Sequence, residues 1–457
     1  MRQPIHPSRR TRRKGLRAAG PGIVLAAVLC LLFGLVVAAQ NAPARRTGSQ
    51  GTSKVVATKV AISFAAPNDY AATTDYLKKI AAANPGLTEL VEIGPSAAGR
   101  PILVLVVSNM HTGVTMDTVV PLRHPRTPAV NNVIPMKPYQ GKPGQWIDGG
   151  THADRTGAQA CLYIIDKLIS GYGHDAEITG LVDDKAFYIC PFVNPDSQAG
   201  GSGKTAGSDA VASNFPEGWW KDDQTAGGSG EFPSSLPEAH AILEFFTNHT
   251  NILLVQSFDV TGGFGLRPFG RWPDSRVDAR DVAVFDTVIG KKYQELVGQP
   301  GSAQAWRSAY SAAGRQQPAG YGLFMDWAYG QFGAFAVSAQ LGPAQNGASL
   351  EKLCDTAWQF ERYKATLLPS VSVKQASARV LYTTDSATRA VTTESGDAVL
   401  VRKSGSPGRY KVMEITATLE NSGALPTAVA QGPQLRGNRQ DVVWLLGDPS
   451  KVTFLQG

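Results

Sequence analysis

The sequence predicts an α/β fold, a mixed β-sheet covered by helices on both sides, followed by a small all-β sandwich. Three observations carry this reading. Strand-length apolar runs alternate with segments of helical periodicity up to about residue 370. Several of those runs are apolar on both faces, as strands buried between two helix layers must be. From about residue 375 the pattern changes to short β-rich runs separated by turn residues, the pattern of a sandwich.

In chain order, residues 1–39 hold Arg2, Arg9, Arg10, Arg12, Arg13, Lys14 and Arg17 and no acid, and end in an apolar run from Gly22 to Ala39. A basic region, an apolar run and a small-residue end describe an export signal, with Val37-Ala38-Ala39 as cleavage site. The run of about 18 residues is also close to a spanning helix. Residues 1–41 are therefore read as export signal or membrane anchor. The protein is expected to be extracellular or in the cell envelope, with anchoring through residues 22–39 as the alternative. Residues 42–58 are small and polar and read as linker.

The net charge of +7 belongs to this N-terminus. Without it the chain is close to neutral, so there is no electrostatic case for nucleic acid or anionic lipid as partner. Membrane contact is expected only through the N-terminal segment. Beyond the signal, Cys161, Cys190 and Cys354 read as buried small hydrophobes with at most one disulfide. They are too scattered for a metal–thiolate cluster.

The main domain is placed at 59–370. Tyr76, Leu77, Ile80 and Ala81 form a short helical stripe stopped by Asn84-Pro85-Gly86. Strands are predicted at 90–93 and 102–108 around a turn from Gly94 to Gly99. Trp146-Ile147-Asp148-Gly149-Gly150 reads as a buried strand ending in a glycine turn. Ala158, Cys161, Leu162, Ile165, Leu168 and Ile169 then share one face of an amphipathic helix. A strand over 186–193 leads to Asn194-Pro195-Asp196, and residues 197–231, rich in Gly, Ser and Ala, read as a mobile surface loop. Ser235-Leu236-Pro237-Glu238 has the pattern of a capping box with proline in the first turn. After it come a strand over 252–255, a helix around 282–296, a strand over 335–341 and a helix from 350 to about 367. Short strands at 379–383, 398–402, 410–419, 442–446 and 452–455 make up the sandwich, placed at 375–457.

Five segments in order resemble the zinc carboxypeptidase family, with its carboxypeptidase A-like fold, over about residues 60–370. Tyr76 through Gly86 with Ile93-Gly94-Pro95-Ser96 and Gly99-Arg100-Pro101 is similar to the family's first segment. Ile147-Asp148-Gly149-Gly150-Thr151-His152 resembles the strand leading to its first metal ligands. Phe187 to Pro191 with Val193-Asn194-Pro195-Asp196 resembles the next strand, and Asp326-Trp327-Ala328-Tyr329, fourteen residues before position 340, keeps the family's spacing. Asn421-Ser422-Gly423-Ala424-Leu425-Pro426-Thr427 resembles the sandwich appended in some bacterial members. The resemblance implies a mixed sheet of the eight-stranded type.

It also implies a set of chemical positions, and most are altered. The family binds zinc with a histidine, a glutamate three residues later and a distant histidine; here these positions hold His152, Arg155 and Asp259. A guanidinium has no lone pair for a cation. The general-base position holds Gln340, whose amide does not titrate near neutral pH. The Asn-Arg pair that grips a substrate's terminal carboxylate corresponds to Ala212 and Ser213, ahead of Asn214-Phe215-Pro216. The family's tyrosine falls on Pro318, with Tyr321 as a nearby substitute. Its carbonyl-polarising arginine has no counterpart between Asp196 and Asn214, where Lys204 is the only base.

The family's reaction is therefore not expected, and neither a cofactor nor a bound metal is. The expected role is non-catalytic binding of a peptide or cell-wall glycopeptide in a cleft that includes Ala212, Ser213, Asn214, Tyr321 and Gln340. Arg155 is expected to pair with Asp259 or Asp154. One alternative is an active zinc metallocarboxypeptidase with relocated ligands His152, Asp154 and Asp259. A second is a structural scaffold acting through the β-sandwich. Trp219 and Trp220 either cap a hydrophobic edge or stack on a sugar or peptide.

Overall fold

The computed structural model describes residues 27–28, 55–113, 137–152, 155–198, 210–221, 229–259, 263–312, 320–341, 347–384, 390–392, 398–400 and 410–432. One mixed sheet holds β1 (Thr88–Pro95), β2 (Pro101–Val107), β3 (Gly144–Asp148), β4 (Ala186–Cys190), β5 (Ile252–Asp259), β6 (Phe264–Arg267), β7 (Trp306–Ser308) and β8 (Phe335–Gln340). The spatial order is β1-β2-β4-β3-β5-β8-β6-β7. At its centre β3 runs parallel to β4 and β5, and β5 parallel to β8. Parallel neighbours need crossover connections. α2 (Thr156–Gly171) with α3 (Ala176–Asp184) connects β3 to its neighbour β4, and α4 (Pro237–Asn248) lies on the connection that carries the chain from β4 past β3 to β5. The remaining early helix is α1 (Tyr70–Ala83).

Strand alternation decides which helix covers which face. Gln145 on β3 points to the helix Gly347–Leu367, where its Nε2 donates to Glu361. Its neighbour Trp146 points the other way, with its ring 5.0 Å from Phe246 and 5.6 Å from Phe245 of α4. The apolar stripe of α2 is buried as its periodicity predicts: Cys161, Leu162, Ile165 and Leu168 have no exposed surface. The three described cysteines are all buried and unpaired.

Several local expectations change. The first turn of α4 is capped at Leu236, and no capping box forms. Ser235 Oγ instead receives bonds from Glu231 N and Asn214 Nδ2, and Glu238 reaches outward to accept from Ala97 N at 2.8 Å. The helix expected around 282–296 is interrupted by a π-helical stretch, Val284–Gly290, between Ala279–Ala283 and Lys291–Leu296. Within the expected linker, Thr58 is tied to Asn84 through both backbone groups, at 2.6 and 2.8 Å, and Val55 packs on the core. The export segment lies outside the described residues except for Ala27–Val28, which pair with Ile415 and Glu414. No described helix is long and apolar enough to cross a membrane.

Beyond Leu367, β9 (Val371–Thr384) pairs antiparallel with β12 (Tyr410–Asn421), and β10 (Ala390–Thr392) with β11 (Ala398–Leu400). These two small antiparallel sheets fit a C-terminal β domain; the strands expected at 442–446 and 452–455 lie outside the described residues. After β12 the chain returns to the main unit. Leu425 N donates to Leu367 O at 2.8 Å and Ala430 N to Asp281 Oδ1 at 2.8 Å.

Candidate functional site

Register places four polar residues side by side at the carboxyl ends of the central strands. Asp148 of β3 lies beside Ser257 of β5, and Asp259 of β5 beside Gln340 of β8. In open α/β sheets this is where ligand crevices form. The chain turns sharply after Asp148 because Gly149 and Gly150 allow it. A Cβ on Gly149 would lie 2.4 Å from the carbonyl carbon of Gly157, and Gly150 has φ +60°. That turn brings His152 back over the strand ends.

These residues close one end of a cavity of about 280 Å³. Its wall includes Asp148, Thr151, His152, Ser257, Asp259, Ser338 and Gln340 at the polar end. Val211, Ala212, Phe215, Ile242, Phe324 and Met325 are among its apolar lining. His152 Nε2 lies 3.5 Å from Asp259 Oδ2. Gln340 Nε2 donates to the same oxygen at 3.4 Å and to Ser338 Oγ at 3.4 Å. Asp148 Oδ2 accepts from Trp146 Nε1 at 2.6 Å and from Ser257 Oγ at 3.0 Å. Burial pushes the Asp148 carboxyl up to about 7; the two donors oppose the shift and the charge of Asp259 adds to it.

The other expected cleft residues are divided. Ala212 and Gln340 line the cavity. Asn214 is fully buried and braces the approach to α4, donating to Ser229 O and Phe232 O and accepting from Leu236 N. Ser213 is buried behind the wall, with its backbone against Gly322. Tyr321 is not in the lining; its ring packs edge-on against Trp220 at 4.9 Å and under Arg271 at 5.1 Å. Trp219 donates to Ser229 O at 2.7 Å, and Trp220 is exposed. Arg155 sits at the start of α2 and outside the described lining. The described side chains nearest Asp259 Oδ2 are His152 and Gln340. Asp154 lies outside the described residues.

Asp148 is the wall residue that motif matching passes over. Its signal was present in the sequence: an acid closing a buried strand immediately before two glycines.

A catalytic zinc takes three protein ligands and keeps one position open. Among the described residues no group of three or more His, Cys, Asp or Glu stands ready to hold a metal ion. His152 and Asp259 supply two donors, and these face each other. The described donors are thus one short of three, and Asp154, the third ligand of the relocated zinc site, lies outside the described residues.

The zinc carboxypeptidase family model matches residues 73–363. Carboxypeptidase A1 of Sus scrofa is 25% identical over 321 residues, 64% of this chain and 66% of that protein. Carboxypeptidase M of Mus musculus is 30% identical over 183 residues, 39% of this chain and 35% of that protein. This chain thus spans from about a third to just under two thirds of the length of these relatives. Among solved structures, the carboxypeptidase A from Helicoverpa armigera superposes with TM-score 0.51 and 19% identity, covering 68% of this chain and 76% of that one. Thrombin activatable fibrinolysis inhibitor superposes with TM-score 0.50 and 17% identity, over 67% and 75%. At such identities the likeness shows the fold.

Proposed function

The chain belongs to the zinc carboxypeptidase family, and we propose that it has kept the family's cleft as a peptide-binding site without the hydrolytic chemistry. The observation that carries this reading is the arrangement around Asp259. Its Oδ2 is approached by two nitrogens, His152 Nε2 at 3.5 Å and Gln340 Nε2 at 3.4 Å. A metal-activated water needs a third ligand and a neighbouring base. Arg155 stands at the position three after His152, and Gln340 offers an amide where a base is required. The cavity itself remains, mostly apolar with a few polar groups, as ligand sites are.

The proposed ligand is a peptide or cell-wall glycopeptide, met outside the cytoplasm after export through residues 1–41. Metal analysis of the purified protein tests the loss of chemistry: zinc well below one equivalent, and no chelator-sensitive peptide cleavage, are expected. Stoichiometric zinc with cleavage abolished by Asp154→Asn would establish the relocated-ligand enzyme instead. As a positive control, Arg155→Glu, Asp259→His and Gln340→Glu combined are expected to raise zinc affinity.

A further inference from the structure

Building on the binding function proposed above, we propose that the cavity takes a primary ammonium group carried on an apolar body. A site built for a terminal carboxylate has the opposite charge preference. The described wall holds two carboxylates, Asp148 and Asp259, and one imidazole, His152; no Lys or Arg is among the described lining residues. Where a bidentate cation would grip a carboxylate, the wall offers the methyl group of Ala212. A ligand carboxylate would enter a desolvated space beside the carboxylate of Asp259, where Coulomb repulsion is poorly screened.

Asp148 points to what the space lacks. Its side chain is 1% exposed, yet both of its described donors go to Oδ2, leaving Oδ1 at the cavity wall without one. That oxygen is open to a donor carried by a ligand in the cavity. Asp259 Oδ2, with nitrogens at 3.4 and 3.5 Å, is the second carboxyl acceptor on the same wall. An ammonium carries three N–H donors and no acceptor. Placed between these carboxyl groups it supplies the missing donor and a charge opposite to that of Asp259. Phe215, Ile242, Leu323, Phe324 and Met325 then receive the apolar body.

Calorimetric titration of the full chain with four probes tests this: Phe-Leu-amide, its N-acetyl derivative, N-acetyl-Phe-Leu free acid and N-acetyl-lysine-amide. Phe-Leu-amide is expected to bind at least about tenfold tighter than its acetylated form, the scale of one hydrogen bond to a charged group, with the free acid weakest. Tight binding of N-acetyl-lysine-amide would also support the ammonium site and place its source on a side chain. Asp259→Asn, and separately Asp148→Asn, are expected to lower affinity for Phe-Leu-amide by about tenfold. Neither should change affinity for the acetylated amide, and circular dichroism of each variant reports folding. Equal affinity for free and acetylated amides overturns the ammonium site. Tightest binding by the free acid overturns it while leaving peptide binding intact. No binding by any probe overturns both. Displacement of Phe-Leu-amide by one equivalent of zinc chloride overturns it in favour of a metal.

Discussion

Lys364 and Glu361 form an ion pair, Nζ to Oε1 2.9 Å, with side chains 0% and 1% exposed. Lys364 Nζ also donates to Gln256 Oε1 at 2.5 Å, and Gln145 Nε2 to Glu361 Oε2. This network lies beneath the central strands, on the face opposite the cavity. Burial pushes the glutamate's pKa up and the lysine's down, so desolvation works against both charges. Each charge partly offsets the desolvation of the other. Lys364→Met alone is expected to cost ~3–5 kcal/mol, because it leaves Glu361 buried without its cation. Lys364→Met with Glu361→Leu is expected to cost much less. Urea unfolding of the two variants checks the order.

The raised pKa of Asp148 gives stability a pH signature. The folded carboxyl is pushed up to about 7 from an ordinary value of 3.8, so the native state binds more protons between these values. Its contribution is fully present below about pH 4 and is lost as pH rises through about 7. Asp326, buried and accepting from Gly270 N and Arg271 N, titrates at about 7 and acts with the same sign. Asp148→Asn is expected to gain relative to the parent between pH 4 and pH 8. The upper bound is ~4 kcal/mol, from about three pKa units at 1.36 kcal/mol each. Denaturation at both pH values measures it.

Gly149 and Gly180 are expected to respond to alanine in opposite directions. At Gly149 the new Cβ meets backbone of α2, with Ala158 N at 2.7 Å as well as Gly157, and backbone cannot move aside as a side chain can. Overpacking of this kind costs ~1–3 kcal/mol. It would also shift the turn that carries His152. Gly180 lies within α3 with open space around it, and alanine there is expected to stabilise by ~0.5–1 kcal/mol through helix propensity. Thermal melts of the two variants show the signs.

Much of this architecture was legible because it rests on periodicity. The buried face of α2 and the apolar strands β3, β5 and β8 follow from spacing alone. The short strands β6 and β7 do not. They have four and three residues, too few for alternation to stand out, and β6 depends on Gly265 fitting under the Trp306 ring. Ser235 looked like a helix cap, but its hydroxyl serves Asn214 and Glu231 across the loop, a tertiary demand that local pattern does not record. The altered ligand positions could be read one residue at a time. That His152 takes Asp259 as its partner depends on the turn at Gly149-Gly150, and Asp148 became visible only when strand register placed it beside Ser257.

Asp281 ties the segment after β12 to the main unit. Its carboxylate accepts from Tyr329 Oη at 2.8 Å and from Ala430 N at 2.8 Å. Asp281→Ala removes both acceptors and leaves a buried hydroxyl and a backbone N–H unsatisfied, at a cost of ~1–3 kcal/mol for each buried group. Limited proteolysis is expected to cut the variant between residues 423 and 432 before the parent, and equal cutting rates would refute the tie.

That return segment has a mechanical consequence. β9 leaves the main unit just after Leu368, and β12 is followed at once by Leu425 on Leu367 and Ala430 on Asp281, so both strands are moored to the same body. A pull on the far end of the hairpin runs along both strands at once to those two moorings, so it does not unzip the register from Val371–Asn421 to Thr384–Tyr410. The small sheet is held like a loop of rope with both ends made fast to one post.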